Sequence, residues 1–445
     1  MNVKICLCFF RTFVYLILVI KTKEKVKKEN QIEIMAPVGS FESLAAAIQA
    51  GADSVYFGVG NLNMRARSSI NFTMEDMQQT VHICKEHDIK TYLTVNTIIY
   101  NDEITEMKNL LDMAKKSGIT AVIASDLSVI QYARSIGMEV HISTQCNITN
   151  IEAVKFFAQY ADVMVLAREL NLHQVAEIVQ KIQEENICGP SGNLIKIEIF
   201  AHGALCMAVS GKCYLSLHHF NYSANRGACL QPCRRAYRVY DADNEVDAIV
   251  DEKYIMSPKD LCTIGFLDKI IQAGVMVLKI EGRGRSPEYV KTVTRCYKEA
   301  ARSIIDGTYN QQKAERWIQE LQTVYNRGFW DGYYLGRKLG EWTQRYGSQA
   351  KTVKIYVGKI NNYFAKIGVA EIKLESGDLS IGDKILVIGP TTGVYETQLN
   401  EIRVNLKNTR QALKGEDCSV PATEVLRRND KVYKVVNVCD SDIYE

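Results

Sequence analysis

Four cysteines fall within one stretch, HGALCMAVSGKCYLSLHHFNYSANRGACLQPCRRAY, as Cys206, Cys213, Cys229 and Cys233. Thiolates grouped in this way select zinc or an iron–sulfur cluster. Zinc sites usually use close pairs, about two to four residues apart. Here only the second pair is short; the first reads C-x6-C. The spacing therefore favours a [4Fe–4S] cluster over zinc, with four unligated thiols as the plain structural alternative. Cys262, in SPKDLC, is a candidate fifth or substitute ligand. Lys212, Arg226, Arg234, Arg235 and Arg238 surround the thiols, and Tyr214, His218, His219, Phe220, Tyr222 and Tyr237 are interleaved with them. Cations beside thiolates lower their pKa and offset cluster charge. The same groups can hold phosphates while the aromatics stack on bases, or form no more than a solvated basic rim.

The whole chain carries 13 cysteines in 445 residues. An odd count spread through a Lys- and Glu-rich chain is not a secreted disulfide scaffold, and points to a reducing compartment, the cytoplasm. Cys84, Cys146, Cys188, Cys296, Cys418 and Cys439 read as ordinary small thiols. The net charge of +3 is too small by itself to argue for nucleic acid. Seven prolines and no Ser/Gly-rich tract exclude long low-complexity linkers.

Elements in series must position these residues. Short apolar, β-branched runs occur at Ile32–Pro37, Ser54–Val59, Lys90–Asn96, Thr120–Ser125, Glu139–Gln145, Asp162–Glu169, Ile195–His202 and Val275–Arg283. Such runs are what a parallel sheet buried on both faces requires. Amphipathic segments separate them: Ser40–Ala50, Thr73–His87, Asp102–Lys116, Leu127–Ser135, Asn150–Tyr160 and Leu172–Glu185. Ser and Thr caps open the first two, and glycines in AGAD, KSGIT, SIGME and QAGVM sit where a helix terminus wants a positive φ. Eight such units predict an α/β fold, a TIM-like (β/α)8 barrel. An open doubly wound sheet is the alternative, without a G-x-G-x-x-G after the first strand to support it. The cysteines lie in an insertion, residues 203–259, directly after strand seven. Pro287–Asp306 and Gln311–Tyr325 complete the barrel, giving a domain over residues 31–345. From about Val353, alternating strands and Gly-Asp turns predict a small C-terminal antiparallel β-barrel over residues 350–445. Its SIGDKILVIGP segment resembles the second-domain barrels of translation factors.

Residues 1–30 stand apart. The run Ile5–Ile20 is apolar except for Arg11 and is followed by basic residues from Lys21 to Lys28. It is short for a membrane span and lacks a signal cleavage site. It reads as a weak anchor or as upstream sequence from a misplaced start. The second is preferred, so no stable membrane association is expected.

The strand ends bring polar groups to the mouth of the barrel. They include Arg65, Asn96, His141, Ser143, Gln145 and Arg168, and further along Glu169, Glu198, His202, Lys279, Glu281 and Arg283. Arg and Lys there can clamp carboxylates bidentately. His141, His202, Glu169 or Glu281 can move protons. An internal salt-bridge network is the alternative role, above all for Lys279, Glu281 and Arg283.

At these residues the sequence resembles peptidase family U32. The matching segments are IEIFAHGALCMAVSGKCYLS, NRGACLQPCRRAY, MSPKDL, LKIEGRGRSPEYV, MAPVGSFESLAAAIQAGADSVYFG and VHISTQCNITN, spanning about Ile32 to Gly340. The family carries the label of collagenase-like proteases. It also holds iron–sulfur proteins that hydroxylate RNA or a quinone precursor. The resemblance implies a [4Fe–4S] cluster on Cys206, Cys213, Cys229 and Cys233. It also implies hydroxylation of RNA, foremost of tRNA wobble uridine at C5, with prephenate as the small-molecule hydroxyl donor, and a homologous partner subunit in some members. The residues offer a peptidase little: there is no H-E-x-x-H helix and no G-x-S-x-G elbow. A Cys206–His202 pair would compete with cluster ligation. A non-catalytic iron–sulfur scaffold that binds RNA is the remaining alternative.

Overall fold

The computed structural model describes residues 32–67, 71–237, 254–336 and 340–438. The expected run Ile5–Ile20, Arg238 and Cys439 lie outside them. Eight parallel strands close a barrel. They are β1 (Glu33–Pro37), β2 (Ser54–Phe57), β3 (Lys90–Val95), β4 (Ala121–Ala124), β5 (Glu139–Ile142), β6 (Val163–Val165), β7 (Lys196–Gly203) and, after the short β8 (Asp260–Cys262), β9 (Val277–Ile280). Each pairs in parallel with the next, and β9 closes the ring by pairing with both β7 and β1. The strand β8 is extra: it runs antiparallel to the end of β7, with His202 opposite Cys262, and carries β10 (Phe329–Trp330) on its other edge. The predicted eighth strand is therefore the ninth in the chain, because the insertion supplies a short strand of its own.

Helices form where the predicted caps lie. Helix α1 (Phe41–Gln49) starts at Ser40, whose side chain accepts from Ser43 N; α2 (Met74–Glu86) starts in a reciprocal capping box between Thr73 and Asp76. Helix α3 (Ile104–Ser117) ends at Gly118, φ 85°, whose N–H returns to Ala114 O. There follow α4 (Leu127–Ser135), α5 (Ile151–Ala158), α6 (Leu172–Glu184), the short α7 (Leu215–Phe220) of the insertion, α8 (Leu267–Gln272), α9 (Pro287–Ile305) and α10 (Gln311–Leu321). One large core lies between strands and helices; α3 gives it Met107, Leu110, Leu111 and Ala114. Burying a side chain such as Leu111 is worth about 1.5–3 kcal/mol.

Inside the barrel the filling differs. Met35, Tyr56, Tyr92, Ala121, Ile123, Val163 and Val277 form a separate small core. Buried Glu33 and Lys279 share strands β1 and β9 with it, and buried His141 and Glu198 come from the neighbouring β5 and β7.

The C-terminal region is an antiparallel sheet of eight strands. Its spine is the long β11 (Thr352–Phe364), followed in the chain by β12 (Val369–Leu374), β13 (Leu379–Ser380), β14 (Lys384–Gly389), β15 (Gly393–Gln398), β16 (Ile402–Val404), β17 (Lys407–Thr409), β18 (Gln411–Ala412), β19 (Asp417–Pro421) and β20 (Lys431–Asn437). The strands β13 and β18 pair as a separate ribbon and add Leu379 and Ala412 to the same core. A bulge near Ile360 bends β11. This sheet docks on α1 and α9. Gln49 donates to Thr392 O at 2.8 Å and accepts from Val394 N at 3.0 Å. Lys354 pairs with Glu288 at 2.7 Å. No helix among the described residues is long and apolar enough to cross a membrane.

Candidate functional site: a cationic cavity faced by four thiols

A cavity of about 180 Å3 opens at the C-terminal ends of the barrel strands, where barrels place their reactive groups. That volume holds on the order of a dozen waters or one small organic molecule. Two walls of different origin enclose it.

The strand-end wall is a set of pre-paired charges. From the loop after β2 comes Arg65, bound to Glu281 at 2.5 Å. From the end of β9 comes Arg283, buried, with Nη1 on Asn63 Oδ1 and Thr94 Oγ1, both at 3.0 Å. Gly58 is needed here, because a Cβ would strike the Arg283 guanidinium and the Asn63 amide. Lys279 in β9 pairs with Glu198 in β7 at 2.8 Å and lies 4.7 Å from the Tyr56 ring centroid. Arg168, just beyond β6, stacks on Phe200 at 3.8 Å and donates to Ala204 O at 3.1 Å. It has no carboxylate partner among the described residues, and its Nε is buried without a hydrogen bond. Four cations and one carboxylate, Glu281, therefore line this wall.

The electrostatics separate residues that can move protons from those that cannot. Burial alone would raise the Glu281 pKa, but Arg65, Arg168 and Arg283 outweigh it and hold the carboxyl at about 2. Glu281 is thus a fixed anion that positions Arg65, not a proton donor near neutrality. Burial lowers Arg283 to about 10. Glu198 is likewise held below its ordinary range, because Lys279 and His141 outweigh its burial. His141 lies beneath the cavity, with Nε2 at 3.3 Å from Glu139 and Nδ1 at 3.7 Å from Glu198. Burial would lower its pKa, and the two carboxylates reverse that.

Two expected proton carriers lie elsewhere. Glu169 is exposed and does not line the cavity. His202 is sealed among the rings of Tyr289, Tyr297 and Phe329, and burial, with Arg285 nearby, pushes its pKa down to about 3. Cys262 sits opposite His202 in the β7–β8 pairing, is buried, and does not line the cavity either; burial raises its thiol to about 11.

The insertion builds the second wall. At Gly203, φ 106°, the chain leaves β7; a Cβ there would meet Glu281 O and the Tyr289 hydroxyl. Cys206, Cys213, Cys229 and Cys233 then all line the cavity, Cys206 exposed and the others half-buried, and none is in a disulfide. Three supports hold them. Ser216 in α7 accepts from Leu230 N at 2.9 Å and donates to Ala228 O at 3.3 Å, bracketing Cys229. The backbone of Gly227 packs against Asn63 and Ala66, where a Cβ would not fit, and accepts from Arg67 N at 3.2 Å. Arg234 donates to Leu205 O, to Pro258 O at 2.6 Å and to Ser257 Oγ at 3.1 Å, joining both ends of the insertion.

The donor set, four free thiols facing one cavity, fits a thiolate-bound metal group. Burial raises the Cys229 thiol, and raises Cys233 to about 11; Cys229 also feels Cys206 and Cys213, and Cys233 feels all three other thiols. Arg65 opposes the shift at Cys229, and Arg234 opposes it at Cys233. Mutual repulsion among four thiols and flanking guanidinium groups is the setting in which a multi-iron centre would be neutralised. Among the described residues no three His, Cys, Asp or Glu side chains close around a single metal position. No hydrogen bond among the described residues joins any of the four thiols to a histidine.

Arg65, Lys279, Glu281, Arg283 and the four cysteines are thus brought together as the sequence suggests, and His141 lies one layer below. Tyr56, Asn63, Thr94 and Phe200 were not anticipated. Tyr56, Thr94 and Phe200 stand in strands buried on both faces, where the pattern does not say which alternate side chain faces the barrel axis, and Asn63 stands in a loop.

The model of peptidase family U32 matches residues 39–344. A Porphyromonas gingivalis protein named "Collagenase" is 58% identical over 91% of this chain and 98% of its own. The "tRNA hydroxylation protein P1" of Bacillus subtilis is 32% identical over 80% of this chain and 83% of its own. The Escherichia coli "23S rRNA 5-hydroxycytidine C2501 synthase" is 32% identical over 70% of this chain but 46% of its own length.

Proposed function

This chain belongs to peptidase family U32, and from that premise we propose that it is an iron–sulfur enzyme of the cytoplasm that hydroxylates RNA. Its substrate on this reading is tRNA, at C5 of the wobble uridine, with a prephenate-type dicarboxylate as hydroxyl donor. The observation that carries the proposal is the cavity itself. It joins four unpaired thiols to a wall with three more cations than carboxylates.

Cys206, Cys213, Cys229 and Cys233 would hold the [4Fe–4S] cluster, which supplies redox or Lewis-acid chemistry when bound. The chain's own residues do the rest. Arg168, in no direct ion pair among the described residues, offers a fork to a donor carboxylate. Arg283, fixed by Asn63 and Thr94, and Arg65, fixed by Glu281, present cationic faces that need no rearrangement on binding. Lys279 is the lining amine, and the His141–Glu198 pair behind it keeps protons within reach of that amine.

Peptidase activity is the second reading, favoured by the printed name of the 58% identical relative. Against it, His202 is sealed away from the cavity that Cys206 lines. The full chain, purified without oxygen, is expected to contain about four irons and four sulfides, lost in a Cys206→Ser, Cys213→Ser variant. Cells lacking the protein are expected to lose a hydroxylated pyrimidine from digested tRNA. Intact tRNA modification together with cleavage of gelatin by the pure protein would replace this reading by the peptidase one.

A further inference from the structure

A second pocket adjoins the thiol cavity and shares a wall with it. Asn61, Arg67, Glu103, Asn221, Tyr222 and Arg226 line it. The partition is one residue thick in each of two loops. Arg65 faces the thiol cavity and the next residue, Ala66, faces this pocket; Cys229 faces the cavity and the preceding Ala228 faces this pocket. The two loops are bound through Arg67 N and Gly227 O at 3.2 Å.

The pocket's chemistry differs from the cavity's. Its one carboxylate, Glu103, is taken up by a two-pronged ion pair with Arg226, whose guanidinium lies 4.0 Å from the Tyr100 ring centroid. Arg67 has no carboxylate partner among the described residues and lies 5.0 Å from the ring of Tyr222. Tyr222 stays 38% exposed and Tyr100 54%. The side-chain amides of Asn61 and Asn221 make no hydrogen bond to any protein group among the described residues, although each carries a donor and an acceptor. An uncompensated cation, an exposed aromatic ring and two open amides are the parts that recognise an unstacked base with its phosphate. A peptide strand would instead want a sheet edge or an apolar groove.

We propose that this pocket is a nucleobase subsite for single-stranded RNA. It holds the nucleotide next to the one that enters the thiol cavity. The inference rests on the reading of RNA as substrate and adds where the neighbouring base is held. Tyr222 stacks on the base, Arg67 meets its phosphate, and Asn61 and Asn221 meet its edge. The thin partition lets consecutive nucleotides occupy the two pockets, which requires them to be unstacked, as in a loop. Duplex RNA cannot supply that geometry.

The test is binding of the full-length protein to a fluorescein-labelled single-stranded oligoribonucleotide and to the same strand annealed to its complement, read by fluorescence anisotropy. The single strand is expected to bind more tightly than the duplex. Tyr222→Ala and Arg67→Ala are each expected to weaken single-strand binding about tenfold, and Tyr222→Phe to stay within about twofold. Iron content and melting temperature, measured in each variant, keep a folding defect apart from a lost contact. Wild-type protein that binds the strand equally well after both alanine substitutions would overturn the subsite while leaving RNA as substrate. Failure of the wild type to bind any RNA, or displacement of the strand by a gelatin peptide through Tyr222, would remove the subsite together with the RNA reading.

Discussion

The two walls of the thiol cavity are built on opposite principles. On the strand-end wall Arg65, Lys279 and Arg283 each have a partner on a neighbouring strand or loop, and their charges are fixed before anything binds. On the insertion wall none of the four thiols is in a disulfide or an ion pair among the described residues, and Met207, Tyr214 and Leu230 beside them are exposed at 47%, 70% and 45%. The barrel supplies a rigid field; the insertion supplies reactive atoms that something else must complete. Damage to the first wall should therefore appear as lost stability, and damage to the second as lost ligand.

The largest stability effect is expected beneath the first wall. Glu198→Ala leaves Lys279 buried without its counter-charge and should cost about 3–5 kcal/mol. Urea unfolding monitored by far-UV circular dichroism measures it. Adding Lys279→Met to that variant should restore much of the loss. A double variant no more stable than the single one would mean that Glu198 acts by packing, not charge.

A somewhat smaller effect belongs to acid. The unfolded chain protonates His202 below about pH 6.5, whereas burial delays this in the folded state to about 3. Between those values the unfolded state binds the extra proton, so stability falls as pH drops through the interval. The contribution should reach on the order of 3 kcal/mol by pH 4. Melting temperature measured from pH 7 to 4 should fall less steeply in His202→Phe; parallel curves would show that His202 takes up its proton in the folded state as readily as in the unfolded chain.

The smallest stability effect should come from the second wall. Cys213→Ser in protein prepared without metal should shift unfolding by no more than about 0.5 kcal/mol. The same substitution should sharply reduce iron bound on reconstitution. A large destabilisation of the metal-free protein would show that the insertion wall, too, is load carrying on its own.

The sequence carries most of the barrel because each unit announces itself locally: Ser40 and Thr73 as caps, Gly118 as a terminus, and β-branched runs between them. It also carries the four cysteines, since their density is visible in one dimension. It does not carry which strand residues face inward. A strand buried on both faces has lost the polar–apolar alternation that would reveal its inner side, which hides Tyr56 and Thr94. For the same reason His202 and His141 look equivalent, although one is walled in by rings and the other lies between two carboxylates. Pairings distant in sequence, such as Arg65 with Glu281, are set only when β9 closes against β1.

Arg234 has a consequence for how this protein can change. By gripping Leu205 near the start of the insertion and Pro258 near its end, one guanidinium ties the neck of a long excursion. An excursion tied at its neck is cheap to resize, because doubling the length of a loop adds only about 0.6 kcal/mol of closure entropy. Changes in the length of such an excursion would leave the positions of the thiols to Ser216, Gly227 and Arg234, so what the insertion reaches for can be altered without rebuilding what it reacts with.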